Sequence, residues 1–252
     1  MADLMSLYQS DVIQEIPEPP PLYSTGITAL DRSLGGGVPA GSVIYILADP
    51  ESMSEIFLYQ FTQPRKTYYF TTERRPQYLI QDITSLGFKI DKITFVDIYS
   101  EYYMSPQGEM IDNTGNEYID AKIVELTEEH LKNIQRIEEG ESNIIIDSFS
   151  FYLSLNLNPG RIKHLLNTIY EITKSLRSLT YLYGLKDTHD RSIEHEILKQ
   201  CDAIFDISLD KTGDRVQNKL AIPKIRGMVP TTEMIKFKVE DGIQIDTSRD
   251  IA

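Results

Sequence analysis

The run Val43-Ile44-Tyr45-Ile46-Leu47-Ala48 is apolar throughout, so the strand it predicts has no polar face and must be covered on both sides. Around it, short apolar runs alternate with stretches in which apolar residues recur every three or four positions. That alternation predicts a mostly parallel sheet whose crossovers are helices. The spacing predicts helices over 52–61 and 76–86, the second ended by Gly87, and strands over 67–71 and 93–98. A second strongly apolar strand, 143–147, ends in Asp147 and follows a helix over 128–137. Within 161–176, Ile162, Leu165, Leu166, Ile169, Ile172 and Leu176 fall on one helical face, which predicts an amphipathic helix packed on the sheet. Strands over 179–183 and 203–207, separated by a helix over 193–200, continue the alternation.

Three regions depart from that rhythm. Between 99 and 126, the turn signals Ser105-Pro106-Gln107-Gly108 and Asp112-Asn113-Thr114-Gly115 flank short apolar stretches and predict an inserted hairpin or a long loop. The tail over 219–246 alternates around turns at Gly227 and Asp241-Gly242, which predicts an antiparallel extension of the sheet. Residues 1–22 end in Ile16-Pro17-Glu18-Pro19-Pro20-Pro21-Leu22, whose prolines fix an extended backbone and remove amide donors. They predict an arm, either slack or lying on a neighbouring subunit through Leu4, Leu7, Tyr8, Val12 and Ile13. The expectation is one α/β domain over 23–252 behind that arm.

Composition narrows the function classes. With 252 residues and 41% hydrophobic positions the chain fills one sizeable core, and its longest apolar runs fall far short of the roughly 20 residues that span a bilayer. A soluble, cytoplasmic protein is expected, with no membrane insertion. The single cysteine, Cys201, excludes an intramolecular disulfide and a cysteine-cluster metal site, and reads as a small buried hydrophobe. A net charge of −13 disfavours sequence-independent binding to nucleic acid, which rests on Lys and Arg replacing phosphate counterions. Twelve acids against Lys122, Lys132 and Arg136 lie between Asp97 and Glu141, a solvated surface before it is a docking site for a basic partner. In the same way Tyr99, Tyr102, Tyr103 and Met104 read first as core packing and second as a partner-binding patch. The histidines His130, His164, His189 and His195 have no metal-ligand spacing.

The order of motifs carries a family resemblance. Ser24-Thr25-Gly26-Ile27-Thr28-Ala29-Leu30-Asp31 followed by Leu34-Gly35-Gly36-Gly37-Val38-Pro39-Ala40-Gly41-Ser42 is similar to the opening of the KaiC/RadA branch of RecA-like ATPases. Tyr68-Tyr69-Phe70-Thr71-Thr72-Glu73 resembles the family's strand ending in an acidic pair, with Arg74 in the second acid's place. Ile144-Ile145-Ile146-Asp147-Ser148 resembles the Walker B strand whose Asp helps hold Mg²⁺, and Lys224-Ile225-Arg226-Gly227 resembles a K-x-R pair that reaches toward the nucleotide of an adjacent subunit. The resemblance implies a RecA-like fold of archaeal KaiC-like type, catalytic candidates Glu73 and Asp147, Asp147 as the ligand if Mg²⁺ binds, and oligomers.

The phosphate loop departs from the family. Where the family reads G-x-x-x-x-G-K-[ST], this chain reads Ala48-Asp49-Pro50-Glu51-Ser52-Met53-Ser54-Glu55, and no Lys or Arg falls between Gly41 and Arg65. Asp49, Glu51 and Glu55 oppose an anion, each by about 1 kcal/mol at ~4 Å even in water. Ser52, Met53 and Ser54, with Lys224 and Arg226, remain the nucleotide-binding candidates. The expected function is that of a pseudo-ATPase, a regulatory or assembly protein needing no cofactor, partnered by its own copies or an active paralogue. ATP and Mg²⁺ at an intersubunit site, or an accessory role in DNA recombination, are the alternatives.

Overall fold

The computed structural model of the chain describes residues 18–212, 215–230, 234–240 and 242–245. Strand β1 (Leu22–Tyr23) and helix α1 (Thr28–Ser33) lead to β2 (Val38–Pro39), which pairs antiparallel with β1, and then to the apolar strand β3 (Val43–Ala48). Helix α2 (Glu55–Phe61), strand β4 (Lys66–Thr71), helix α3 (Pro76–Ser85), strand β5 (Ile93–Asp97) and helix α4 (Ile98–Tyr103) follow. Next come α5 (Glu117–Ile137), β6 (Ser142–Asp147), α6 (Phe149–Ser154), α7 (Pro159–Leu176), β7 (Leu179–Leu185) and α8 (Arg191–Gln200). The last strands are β8 (Ala203–Thr212), β9 (Arg215–Ile225), β10 (Ile235–Glu240) and β11 (Gly242–Ile245).

Nine strands form one sheet in the order β11-β10-β9-β8-β3-β7-β6-β4-β5. From β8 to β5 the neighbours are parallel, and β8 through β11 are antiparallel, as the alternation and the turn-rich tail predict. Strand β3 lies between β7 and β8, where both faces are covered. One face packs under α2, with Phe61 stacked on Tyr181 at 4.3 Å between ring centroids. The other packs under α5 and α7, and the predicted stripe from Ile162 to Ile172 is buried there. Gly184 on β7 leaves room for the Tyr45 side chain, because a Cβ at that position would collide with the Tyr45 hydroxyl. Cys201 is buried, and burial pushes its thiol up to about 12, as suits an inert packing residue.

The sequence expectation differs from the structure over 99–126. Much of that span is helical: α4 occupies its start, and α5 begins at Glu117 rather than at 128. The physical reason is a cap and a buried anchor. The Asn116 side chain accepts from the Ile119 amide (3.3 Å), and Asp120, fully buried, accepts from the Tyr102 hydroxyl (2.6 Å) and the Asn156 amide (2.8 Å). Tyr102 is therefore a core residue. Helix α2 also starts later than expected, at Glu55 rather than 52, because residues 49–54 form a turn. Of the stretch read as an arm, residues 1–17 lie outside the described residues, while Leu22 pairs with Pro39.

At the N-terminal edge of the parallel strands the lead-in segment binds itself. Asp31 accepts from the Ser24 hydroxyl (2.5 Å) and from the Thr25 amide and hydroxyl (both 2.7 Å), which accounts for the Ser-Thr-Gly and Leu-Asp order. Gly37 has φ +132°, and a Cβ there would overlap the Tyr23 carbonyl. At the same edge lies Asp202, buried, whose carboxylate accepts from the Val43 amide (2.9 Å), Lys174 (2.8 Å) and Arg226 (3.3 Å). Replacing Asp202 by Ala leaves a buried strand amide without its acceptor and two cations without their carboxylate. A loss of about 2 to 4 kcal/mol in urea unfolding is expected, and a loss under about 0.5 kcal/mol would remove Asp202 from that role.

Candidate functional site

The motif residues divide between the two edges of the sheet. Strands β3, β4, β6 and β7 all end at the opposite, C-terminal edge, which brings together the turn over 49–54, Glu73 and Asp147. Lys224 and Arg226 are held at the Asp202 edge, since Ile225 pairs with Ala203 and the Arg226 amide bonds the Asp202 carbonyl (2.8 Å). There Lys224 donates to the carbonyls of Leu198 (2.6 Å) and Lys199 (3.0 Å), and Arg226 to that of Lys199 (2.7 Å). Two cations at the C-terminus of α8 complement its exposed carbonyls and dipole. Within one chain they do not meet Glu73 or Asp147.

The turn after β3 is fastened from both sides and closed on itself. The Asp49 amide donates to the Ile207 carbonyl (3.0 Å) and the Lys186 amide to the Ala48 carbonyl (2.9 Å). Asp49 then organises the turn: its side chain accepts from the Glu51 amide (3.0 Å), and its carbonyl from the Ser52 amide (2.9 Å) and hydroxyl (2.6 Å). Ser54, also buried, bonds through its hydroxyl to that of Tyr183 (2.9 Å), whereas Met53 points outward, 53% exposed. The three amides and two hydroxyls are thus committed to acceptors or partners within the protein.

Asp147 is buried at the end of β6, and the Tyr69 hydroxyl donates to its Oδ2 (2.8 Å). Burial raises its carboxyl to about 6, with Glu55 and Glu73 adding to the rise while the Tyr69 bond and Arg74 oppose it. The Tyr59 hydroxyl is pushed up to about 12, chiefly by burial. Glu73 is exposed and accepts from the Ser148 hydroxyl (3.1 Å), and Thr72 bonds Ser148 on both sides, so Glu73 is held next to Asp147. One strand over, the Ser150 hydroxyl accepts from the Leu185 amide (2.9 Å) and meets His189 Nε2 (2.8 Å), whose imidazole burial keeps toward the neutral form. Among the described residues no group of three or more His, Cys, Asp or Glu is placed to hold a metal ion.

Cations that are remote in sequence arrive at this edge already paired. Arg74 reaches Asp82 (2.7 Å) and the Tyr59 hydroxyl (3.4 Å), Lys211 pairs with Glu51, and Lys186 with Asp206. Residue spacing alone singled out none of the contacts made by Tyr59, Tyr69, Tyr183, Lys186 or Lys211. The one local signal was Arg74 in an acid's place. A cavity of about 310 Å³ beside the turn is lined by Met53, Glu55, Tyr59, Arg74, Asp82 and Leu86, so both signs of charge face it.

Between roughly pH 4 and 6 the folded chain keeps a proton on Asp147 that an unfolded aspartate has released, because the unfolded value is ~3.9. The stability of the wild type relative to Asp147→Asn therefore falls as pH rises through that window, by about 3 kcal/mol in all. Urea unfolding of both proteins at about pH 4 and about pH 7.5 measures it. A difference that does not change with pH would show that Asp147 titrates as an ordinary surface carboxyl.

Comparison with curated proteins finds none that matches. Among solved structures, the KaiC-like protein PH0186 from the hyperthermophilic archaeon Pyrococcus horikoshii OT3 is similar, with a TM-score of 0.70 over 90% of this chain and 100% of that one. At 17% sequence identity the likeness establishes a RecA-like fold and nothing finer. The profile of a family of unknown function, DUF7125, matches residues 22–252, and the chain belongs to that family.

Proposed function

We propose that the chain is a non-catalytic member of the RecA-like group, a regulatory or assembly protein that keeps the frame of a nucleotide-binding domain around a degenerate Walker A loop. The observation that carries this reading is the turn over 49–54. In a working loop, free backbone amides and a lysine grip the phosphates while a hydroxyl takes Mg²⁺. Here the amides of Asp49, Glu51 and Ser52 and the hydroxyls of Ser52 and Ser54 face acceptors or partners inside the protein. Asp49, Glu51 and Glu55 meet the place a triphosphate would take, and Lys186, Lys211 and Arg74 are each paired with a carboxylate.

ATP with Mg²⁺ does not fit these residues in the family's pose, because the Oδ2 atom of Asp147 accepts from Tyr69 and the loop offers no free lysine. A role without a cofactor follows, with Glu73 and Asp147 as strand-end polar groups. Assembly with other copies or with an active paralogue gives the retained frame a use. An intersubunit enzyme would need Lys224 and Arg226 to leave the end of α8, which makes it the weaker reading. The charge of −13 weighs equally against a DNA-binding accessory.

Isothermal calorimetry with Mg·ATP tests the proposal. No binding tighter than the millimolar range, and no phosphate release above background, are expected. Micromolar binding with turnover that Glu73→Gln abolishes would sink the idea.

A further inference from the structure

A loop of thirteen residues, 104–116, joins α4 to α5, and its fold is fixed from beneath. The Tyr102 hydroxyl meets the Asn113 carbonyl (3.2 Å) and the buried Asp120 carboxylate, the Asn113 side chain returns a bond to the Tyr102 carbonyl (2.5 Å), and the Ile111 amide donates to the Tyr103 carbonyl (2.9 Å). Met104 and Met110 form an antiparallel bridge. A loop held this tightly has every opportunity to turn its apolar side chains inward, yet Met110 is 66% exposed and Ile111 38%. Met110 rests against the Tyr99 hydroxyl (3.8 Å), and the Tyr99 ring lies 4.9 Å from that of Tyr103. Met110 and Ile111 therefore face outward, with the half-buried Tyr99 ring beside Met110.

The stretch of chain that carries it has one sign of charge, while across the fold the Arg75 guanidinium touches the Met104 sulfur (2.9 Å). From 98 to 121 the chain has Glu101, Glu109, Asp112, Glu117 and Asp120 and no Lys, Arg or His. The first four are exposed, and no ion pair among the described residues involves them. An adaptable methionine-bearing surface flanked along the chain by exposed carboxylates that form no ion pair among the described residues complements a helix with one apolar face and lysines or arginines along its flanks. It repels an anionic membrane and nucleic acid. A second copy of a chain with net charge −13 is a poor occupant for the same reason.

We infer that the surface formed by Tyr99, Met110 and Ile111, flanked by the exposed Glu101, Glu109 and Asp112, docks a basic amphipathic helix of a partner protein. The inference rests on the regulatory reading above and names the chemistry of the partner. The position agrees with such a role: the Arg75 guanidinium touches the Met104 sulfur (2.9 Å), and Tyr103 lies within electrostatic range of Glu73, so the docked helix would border the Glu73–Asp147 edge.

A fluorescein-labelled peptide of leucine and lysine patterned as an amphipathic helix, and a scrambled peptide of the same composition, are the probes. Anisotropy titration of the full chain is expected to show saturable one-to-one binding of the patterned peptide, at least tenfold tighter than the scrambled one. The double variant Met110→Ser with Ile111→Ser, which leaves the net charge unchanged, weakens it at least tenfold. The triple variant Glu101→Gln, Glu109→Gln, Asp112→Asn also weakens it and flattens its salt dependence. All these positions are exposed, and circular dichroism verifies that each variant is folded. Equal affinity for both peptides, or undiminished binding by the serine variant, would overturn the inference. So would sedimentation showing a wild-type dimer that the serine variant loses, which assigns the surface to a second copy. Calorimetry with Mg·ATP reads the underlying functional proposal separately, because neither peptide touches that measurement.

Discussion

A strand without a polar face has to be sealed along its length and at both ends, and β3 is that strand. Its edges are closed by parallel neighbours β7 and β8. At its start the Val43 amide is held by Asp202, and at its finish Ala48 and Asp49 bond to Lys186 and Ile207. Each seal recruits residues from a distant part of the chain. Asp202 draws in Lys174 and Arg226, and β8 delivers Lys211 to Glu51. The closed turn and the clamp on α8 both adjoin the ends of this one buried strand.

Charge explains why the two edges differ. At the N-terminal edge, cations meet a buried carboxylate and the carbonyl end of a helix, a complementary pairing that holds Lys224 and Arg226 at the end of α8. At the C-terminal edge carboxylates are in excess, and burial pushes Asp147 toward its neutral form. Tyr69 and Arg74 temper that cost without removing it. An edge built this way sets a turn whose Asp49, Glu51 and Ser52 amides are engaged within the protein beside Glu73 and Asp147.

The connection between α4 and α5 adds a second kind of surface beside that edge. Its inner side is settled by Asp120, a buried carboxylate that a helix would seldom carry without partners, and its outer side exposes methionine, isoleucine and tyrosine amid acids. The turn signals Ser105-Pro106-Gln107-Gly108 and Asp112-Asn113-Thr114-Gly115 were visible in the sequence, as was the helix over 128–137, but the first half of that helix, from Glu117, was hidden. Its apolar stripe is interrupted by Asp120 and Thr127, polar residues whose burial only their partners explain.

Hydrophobic periodicity by itself determined the alternation of strands and helices, the doubly covered β3, the amphipathic face of α7 and the antiparallel tail, because each depends on neighbours a few residues apart. Motif order pointed to the RecA-like frame, and the acids after β3 and the lack of Lys or Arg between Gly41 and Arg65 were legible in the sequence. What only the tertiary structure decided is where side chains remote in sequence meet: Tyr69 on Asp147, Tyr183 on Ser54, Lys211 on Glu51, and Lys224 and Arg226 on the end of α8. Such contacts depend on strand order and register, which bring together side chains lying dozens to more than a hundred residues apart. No local pattern of residues encodes that meeting, so the chemistry of the edge emerged only once the sheet was assembled.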